Sequence, residues 1–226
     1  MFMTETNIEQ PPYFHQWSFT VETDETSIIL PDGCTDIIVI SNDESEISGL
    51  HSTSWDISPR RVRLRAGTSL TGFRLRPGAT VDLRDLGTEA HGAANLAAQI
   101  SSVVRHDQEI TQIIDDLCLP GRSVAELAKQ QGVSERTLQR RFKDLSLPSP
   151  GFWRQLGRAR QAVQALPCRV PLTEIALEYG YSDQAHMTRE FVRWFGKTPV
   201  QLRRDHATLK DLAQPGLGNW SSQAVL

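Results

Sequence analysis

Two groups of arginines carry the chemistry open to this sequence of 226 residues. From Gly121 to Lys210 there are 16 Lys and Arg against 8 Asp and Glu, a net +8, whereas Met1 to Pro120 holds 8 against 18, a net −10. Asp211 closes the sum at −3. An acidic half joined to a basic half points to a polyanion as the partner of the basic one. The charges alone do not name that polyanion. The second group lies in the acidic half. Arg74 and Arg76, with Asp32 and Asp36, could line a pocket for an anion or polar effector, although alternating arginines also make the wet face of a strand.

Other chemistries find little support. His15, His51, His91 and His106 are isolated, and no H-x-H with a following glutamate is present, so no metal or other cofactor is expected. No serine, histidine and acid arrangement and no glycine-rich phosphate loop argues for an enzyme. Cys34, Cys118 and Cys168 are too few and scattered for a disulfide framework and read as buried reduced thiols. Carboxylates beside Cys34 raise rather than lower its pKa. No run approaches the ~18 apolar residues of a membrane span, and the acidic start lacks the pattern of a secretory signal. The chain therefore reads as a soluble, cytoplasmic protein with no membrane partner.

The elements that must position the arginines change period along the chain. Between Ser18 and Pro77 short apolar runs alternate with turn residues. Arg60 to Arg65 puts Val62 and Leu64 on one face and Arg61, Arg63 and Arg65 on the other, and Phe73 and Leu75 alternate with Arg74 and Arg76 in the same way. This predicts an antiparallel β-rich barrel or sandwich over residues 1–120. Ala93 to Cys118 reads as one or two helices packed on or beside that sheet. Pro120 to Arg122 breaks the helix where the charge switches, which places a domain boundary there. Residues 121–206 then form an all-helical domain, with 207–226 as a tail, giving an α+β chain.

Within the helical half one unit occurs twice. Ser123 and Glu126 form a capping box, Gly132 ends the first helix, and Ser134 caps a second that runs through Leu138 and Phe142. Glu126-Leu-Ala returns as Glu174-Ile-Ala, Gly132 as Gly180 and Ser134 as Ser182; with one inserted residue, Arg140 and Phe142 return as Arg189 and Phe191. Helix, glycine turn and helix is the helix-turn-helix pattern, whose second helix enters a major groove. A helix from Pro150 joins the copies, with Trp153, Leu156, Ala159 and Val163 on one side and Arg154, Arg158 and Arg160 projecting elsewhere. About 16 residues span roughly 24 Å at ~1.5 Å each, which allows two reading helices about one duplex turn apart. Phe142, Trp153, Phe191, Trp194 and Phe195 have the helical spacing of a core.

The run from Ser182 to Pro199, SDQAHMTREFVRWFGKTP, followed by Arg203 and Arg204, resembles the signature of the AraC/XylS family of bacterial transcription factors. The first unit and the Pro150 helix fit the same domain, so the resemblance covers about Arg122 to Arg204. It implies a DNA-binding regulator in which Arg136, Gln139 and Arg140 face one groove, and Gln184, Ala185 and Arg189 the next. Ala185 departs from the polar residue often found there, which suits apolar contact with a thymine methyl. Met187 stands in place of an aromatic as a core substitution. Arg154, Arg158, His186, Arg193 and Arg203 are assigned to phosphates, some of them alternatively to internal carboxylates.

Pro31 to Asp36 and Gly72 to Gly78 resemble the cupin-like sensor domain of some relatives, which implies effector binding or a homodimer. Promoter DNA is the expected partner and RNA polymerase a further one. Two alternatives stay open: a metal-dependent barrel enzyme carrying His51 and His91 and fused to a DNA-targeting module, and an architectural DNA binder without sequence preference.

Overall fold

The computed structural model describes residues 13–41, 47–86, 93–168 and 170–220. The chain divides into two compact units. The first contains six strands, β1 (Phe14–Thr20), β2 (Glu25–Ile29), β3 (Asp36–Ser41), β4 (Ile47–Ser52), β5 (Arg60–Leu64, of which Arg60 falls in the second unit) and β6 (Ser69–Leu75), and the helix α1 (Ala93–Val103). β1, β6, β3 and β4 form one sheet in that order, antiparallel throughout, while β2 and β5 form a separate ribbon.

Alternation decides which side of the sheet is apolar. Phe73 and Leu75 are buried and Arg74 and Arg76 lie between them half-exposed, as the pattern in β6 requires. Phe14, Ile37, Phe73 and Leu75 pack with Leu96 and Ile100 of α1, so a helix and not a second β-layer supplies the rest of this core. The expected cupin-like barrel is accordingly not seen: among the described residues the four-stranded sheet is open, with β1 and β4 at its two edges.

The second unit is helical. It comprises α2 (Gln108–Cys118), α3 (Val124–Gln130), α4 (Glu135–Asp144), α5 (Pro150–Gln164), α6 (Leu172–Glu178), α7 (Gln184–Phe195), α8 (Pro199–Arg203) and α9 (His206–Leu212), together with Leu30–Gly33 and Trp55–Arg60. α2 does not pack on the sheet as the sequence suggested. Ile110, Ile113, Ile114 and Leu117 enter the helical core, so this unit takes up the chain from Gln108, upstream of the proline-glycine break. The crossing of α2 and α5 is close because residue 157 is glycine: a Cβ there would fall 2.5 Å from Cys118 Sγ.

α5 is the spine of the unit. Ser149 caps it and Pro150 occupies the first turn, where no amide is needed. Trp153, Leu156, Ala159 and Val163 are buried as expected, and Phe142, Phe191, Trp194 and Phe195 join them in one core. Arg158 and Arg160, read as projecting away from the apolar side, are buried too. Arg160 donates to the carbonyls of Leu212, Gln214 and Leu217 and to Asn219 Oδ1 at 3.0 to 3.2 Å. This binds the last described segment to the spine. Residues 206–220 are thus part of the unit, with Leu212 and Leu217 in its core. Cys34 and Cys118 are buried, whereas Cys168 is exposed, against the reading of three buried thiols.

Candidate nucleic-acid interface

The two repeated units fold alike from different caps. In the first, Ser123 Oγ accepts the Glu126 amide and Glu126 accepts the Ser123 amide at 3.0 Å, closing the capping box. Hydrogen bonding from Ser123 holds the Glu126 carboxyl below its ordinary range. Gly132 turns the chain at φ +65°, and Gly180 does the same at +72°. Both are left-handed, a conformation that costs a side-chain-bearing residue roughly 1–2 kcal/mol.

The caps correct one detail of the repeat. Ser134 caps α4, but α7 is capped by Asp183, which accepts the His186 amide at 2.6 Å. The inserted residue therefore falls between the glycine and the cap, and the correspondence from that point is 49 residues. In this register Leu138 matches Met187 and Phe142 matches Phe191, and all four are fully buried. That agrees with Met187 as a core substitution. Arg136 matches Ala185, Arg140 matches Arg189, and Gln139 matches Thr188, a residue the sequence reading passed over. The shared 49-residue spacing of Arg140 and Phe142 was the available signal for it.

The side chains assigned to base reading share one property. Arg136, Gln139 and Arg140 are exposed at i, i+3 and i+4 on α4, opposite buried Leu138 and Phe142. Gln184, Ala185 and Arg189 are exposed on α7, opposite Met187 and Phe191. Thr188 is half-buried and donates its hydroxyl to the Gln184 carbonyl. The backbone amide of His186 lowers the Asp183 carboxyl, with Arg189 and the Ala185 amide adding to the effect.

The phosphate set divides. Arg158 is only 9% exposed; it donates to the Gly180 carbonyl at 3.0 Å and to Glu190 at 2.7 Å, and its guanidinium lies 4.3 Å from the Tyr181 ring centre. With these donors committed inside the unit, Arg158 does not stand on an exposed face as a backbone contact for DNA, and that assignment is withdrawn. Arg203 is half-buried and spends its donors on the carbonyls of Leu166 and Val170, where it holds the turn after α5. His186 is half-buried among Ser182, Glu190 and the Tyr181 ring. Burial, with Glu190 adding to it, raises the Tyr181 phenol. Arg193 is exposed, over the Trp194 ring and bonded to Gln155, while Arg154 is half-exposed with no ion pair among the described residues.

The residues proposed for an effector are divided between the units, with Asp36, Arg74 and Arg76 in the sheet unit and Asp32 in the helical one. Asp36 is buried, accepts from Trp17 Nε1 at 2.8 Å and pairs with Arg74 at 3.4 Å, so its carboxylate is committed inside the sheet unit. Asp32 belongs to the helical unit, where its carbonyl accepts the Leu217 amide. Arg76 is half-buried in the sheet unit. No group of three metal-ligating side chains occurs among the described residues; His51 is exposed on β4, and His91 lies outside those described. No helix among them is long and apolar enough to cross a membrane.

A family model described as a helix-turn-helix domain matches residues 127–205. The probable transcription factor PqrA of Proteus vulgaris is 34% identical over 92 residues, covering 40% of this chain and 75% of PqrA. The virulence regulon transcriptional activator VirF of Yersinia enterocolitica is 29% identical over 100 residues, covering 44% of this chain; the match spans 37% of the length of VirF. Among solved structures, a probable AraC family transcriptional regulator from Rhodopseudomonas palustris is 22% identical, with 42% of this chain and 90% of that one covered at a TM-score of 0.37.

Proposed function

The chain belongs to the AraC/XylS family of DNA-binding transcriptional regulators, and we propose that it reads a specific promoter sequence with α4 and α7 in successive major grooves. As a member of that family it is a regulator and not an enzyme. The observation that carries the reading is the matched exposure of Arg140 and Arg189 on two helices whose opposite faces are buried in one core. Arg136, Gln139 and Gln184 join them as base readers, and Ala185 as an apolar one. Arg154 and Arg193 are left to meet phosphates. RNA polymerase is the further proposed partner and the cytoplasm the proposed location. Effector binding or homodimer formation is assigned to the sheet unit, where Ile28 and Ile29 on β2 are 50% and 37% exposed.

Footprinting of the full chain upstream of its own gene and the neighbouring genes tests this. Protection over two consecutive turns on one side is expected, with a preference of ~10³-fold or more over random duplex at a stated salt concentration. Arg140→Ala and Arg189→Ala relax base preference, each by ~1–3 kcal/mol, while Arg193→Ala weakens all sequences alike. Equal binding to random and promoter DNA would leave only an architectural binder.

A further inference from the structure

We propose that the helical unit binds a small oxyanion, a phosphate or a carboxylate, in the cleft between the α2–α3 turn and α5. The cleft measures about 150 Å³ and is lined on its polar side by Arg122, Ser123, Arg154, Arg158, Gln161 and Tyr179. Arg154, Arg158 and Gln161 follow one another at i, i+4 and i+7, so a single face of α5 presents them. No aspartate or glutamate lines the cleft.

Three guanidinium groups around one small space repel each other, and the arrangement is favourable when an anion occupies it. Glu190 neutralises Arg158 at 2.7 Å. Among the described residues Arg154 has no carboxylate partner within 4.0 Å, and Arg122 acts on Glu126 only through space because the Ser123 capping box holds that carboxylate. Arg158 is nine-tenths buried with two of its nitrogens bonded, so it stands as a fixed part of the cleft wall, and Arg122 and Arg154 are the guanidinium groups without a carboxylate partner within 4.0 Å among the described residues.

Size and chemistry then select the ligand. The cleft is smaller than the ~300–1,000 Å³ of sites for drug-sized molecules and equals the share of about five waters at ~30 Å³ each. That suits inorganic phosphate, a phosphate monoester head or a short carboxylate, which the arginine fork matches bidentately. The neighbouring neutral groups do not oppose an anion: burial raises the Tyr179 phenol, and burial pushes the Cys118 thiol up to about 12, so neither adds negative charge at neutral pH. The anion has two possible sources, a free metabolite or a phosphate of the bound duplex.

Inorganic phosphate titrated into the full chain at constant ionic strength, against chloride, tests the site without reference to DNA. Saturable stabilisation against heat and saturable heat release are expected, with R154Q and R122Q each weakening the phosphate response at least about tenfold. A DNA arm assigns the source. If the duplex supplies the phosphate, phosphate competes with promoter DNA at fixed ionic strength, and R122Q reduces the salt slope of binding by about one. If the ligand is free, R122Q leaves DNA affinity in chloride unchanged and the phosphate response persists in the complex. A phosphate response that survives both variants overturns the proposal, as does the absence of any phosphate response together with an unaltered salt slope in R122Q. Failure of the promoter preference described above would show instead as loss of specificity with the phosphate response intact.

Discussion

The two helix-turn-helix units share a backbone but not a means of support. Beneath α7 lies a buried polar cluster, in which Arg158 and Glu190 pair at 10% and 13% side-chain exposure and His186 and Tyr181 pack against them. The position in α4 that matches Glu190 is Arg141, and it pairs with Glu109 of α2 at 32% and 53% exposure. The same site in the repeat is thus an outer strut in one unit and an internal ion pair in the other. The two units share a backbone and an exposed helix face, while the side chains at this position meet different neighbours.

Breaking these two pairs gives the largest expected contrast. Glu190→Ala leaves the Arg158 guanidinium buried without its counter-charge and is expected to cost ~3–5 kcal/mol. Arg141→Ala removes a pair largely in water and costs at most about 1 kcal/mol. Replacing both partners of the inner pair, Arg158→Met with Glu190→Leu, should recover most of the loss, since the hydrophobic pair has no charge to desolvate. Urea unfolding of the four proteins measures all three numbers. Similar costs for Glu190→Ala and Arg141→Ala would mean that the units are supported alike.

The glycine turns predict the opposite, equality. A Cβ at Gly132 meets nothing within 4 Å, and one at Gly180 only Gly121 N at 3.9 Å. Ala at either position is therefore charged for its left-handed backbone alone, ~1–2 kcal/mol in each unit. Matching midpoint shifts in urea are expected. A Gly180→Ala cost well above that of Gly132→Ala would show that the second turn is packed more tightly than the first.

These contrasts follow the line between what was legible in the sequence and what was not. The Ser123 capping box, the turn glycines, the repeat and the apolar spacing are read along the chain, and they located both units, the α5 spine and the buried aromatics. The allegiance of α2, the open sheet and the buried arginines are long-range. Arg158 looks like any helical arginine until Glu190 and Gly180, far along the chain, are brought to it. Arg160 left a clue in its position, four residues after Leu156 and seven after Trp153 on the apolar side of α5, but its carbonyl partners lie more than fifty residues away. The alternation in β6 showed which face is apolar without showing that α1 would cover it. The residues proposed to face DNA on α4 and α7 came from the resemblance to the family signature, and their exposure agrees with the helical period. Thr188 was missed because the insertion precedes the cap.

Caps give a smaller effect with a built-in asymmetry at the first helix of each unit. Ser123 closes a capping box on α3, whereas Pro171 begins α6 with no side-chain cap. Ser123→Ala should cost ~1 kcal/mol, and Pro171→Ala should show no loss of a cap bond. Hydrogen exchange of the first-turn amides separates the two: protection falls in α3 and is unchanged in α6.

The smallest effect separates the second helices by pH. Ser134 caps α4 with a neutral hydroxyl, whereas Asp183 caps α7 with a carboxylate whose pKa is lowered by the His186 amide. A folded pKa below the unfolded value of ~3.9 means that the stabilisation from Asp183 is complete above that value and is lost as pH falls through the folded one. Ser134 contributes no such dependence. Other depressed carboxylates, Glu126 and Asp205 with its pKa near 2, give the whole chain acid sensitivity, so the measurement must be a difference between variants. Asp183→Ser should flatten the decline in stability below about pH 5 relative to the parent, and Ser134→Asp should steepen it by installing in α4 the charge that α7 already has. Curves that run parallel to the parent in both variants would remove the charged cap from the differences between the units and leave the buried ion pair as the principal one.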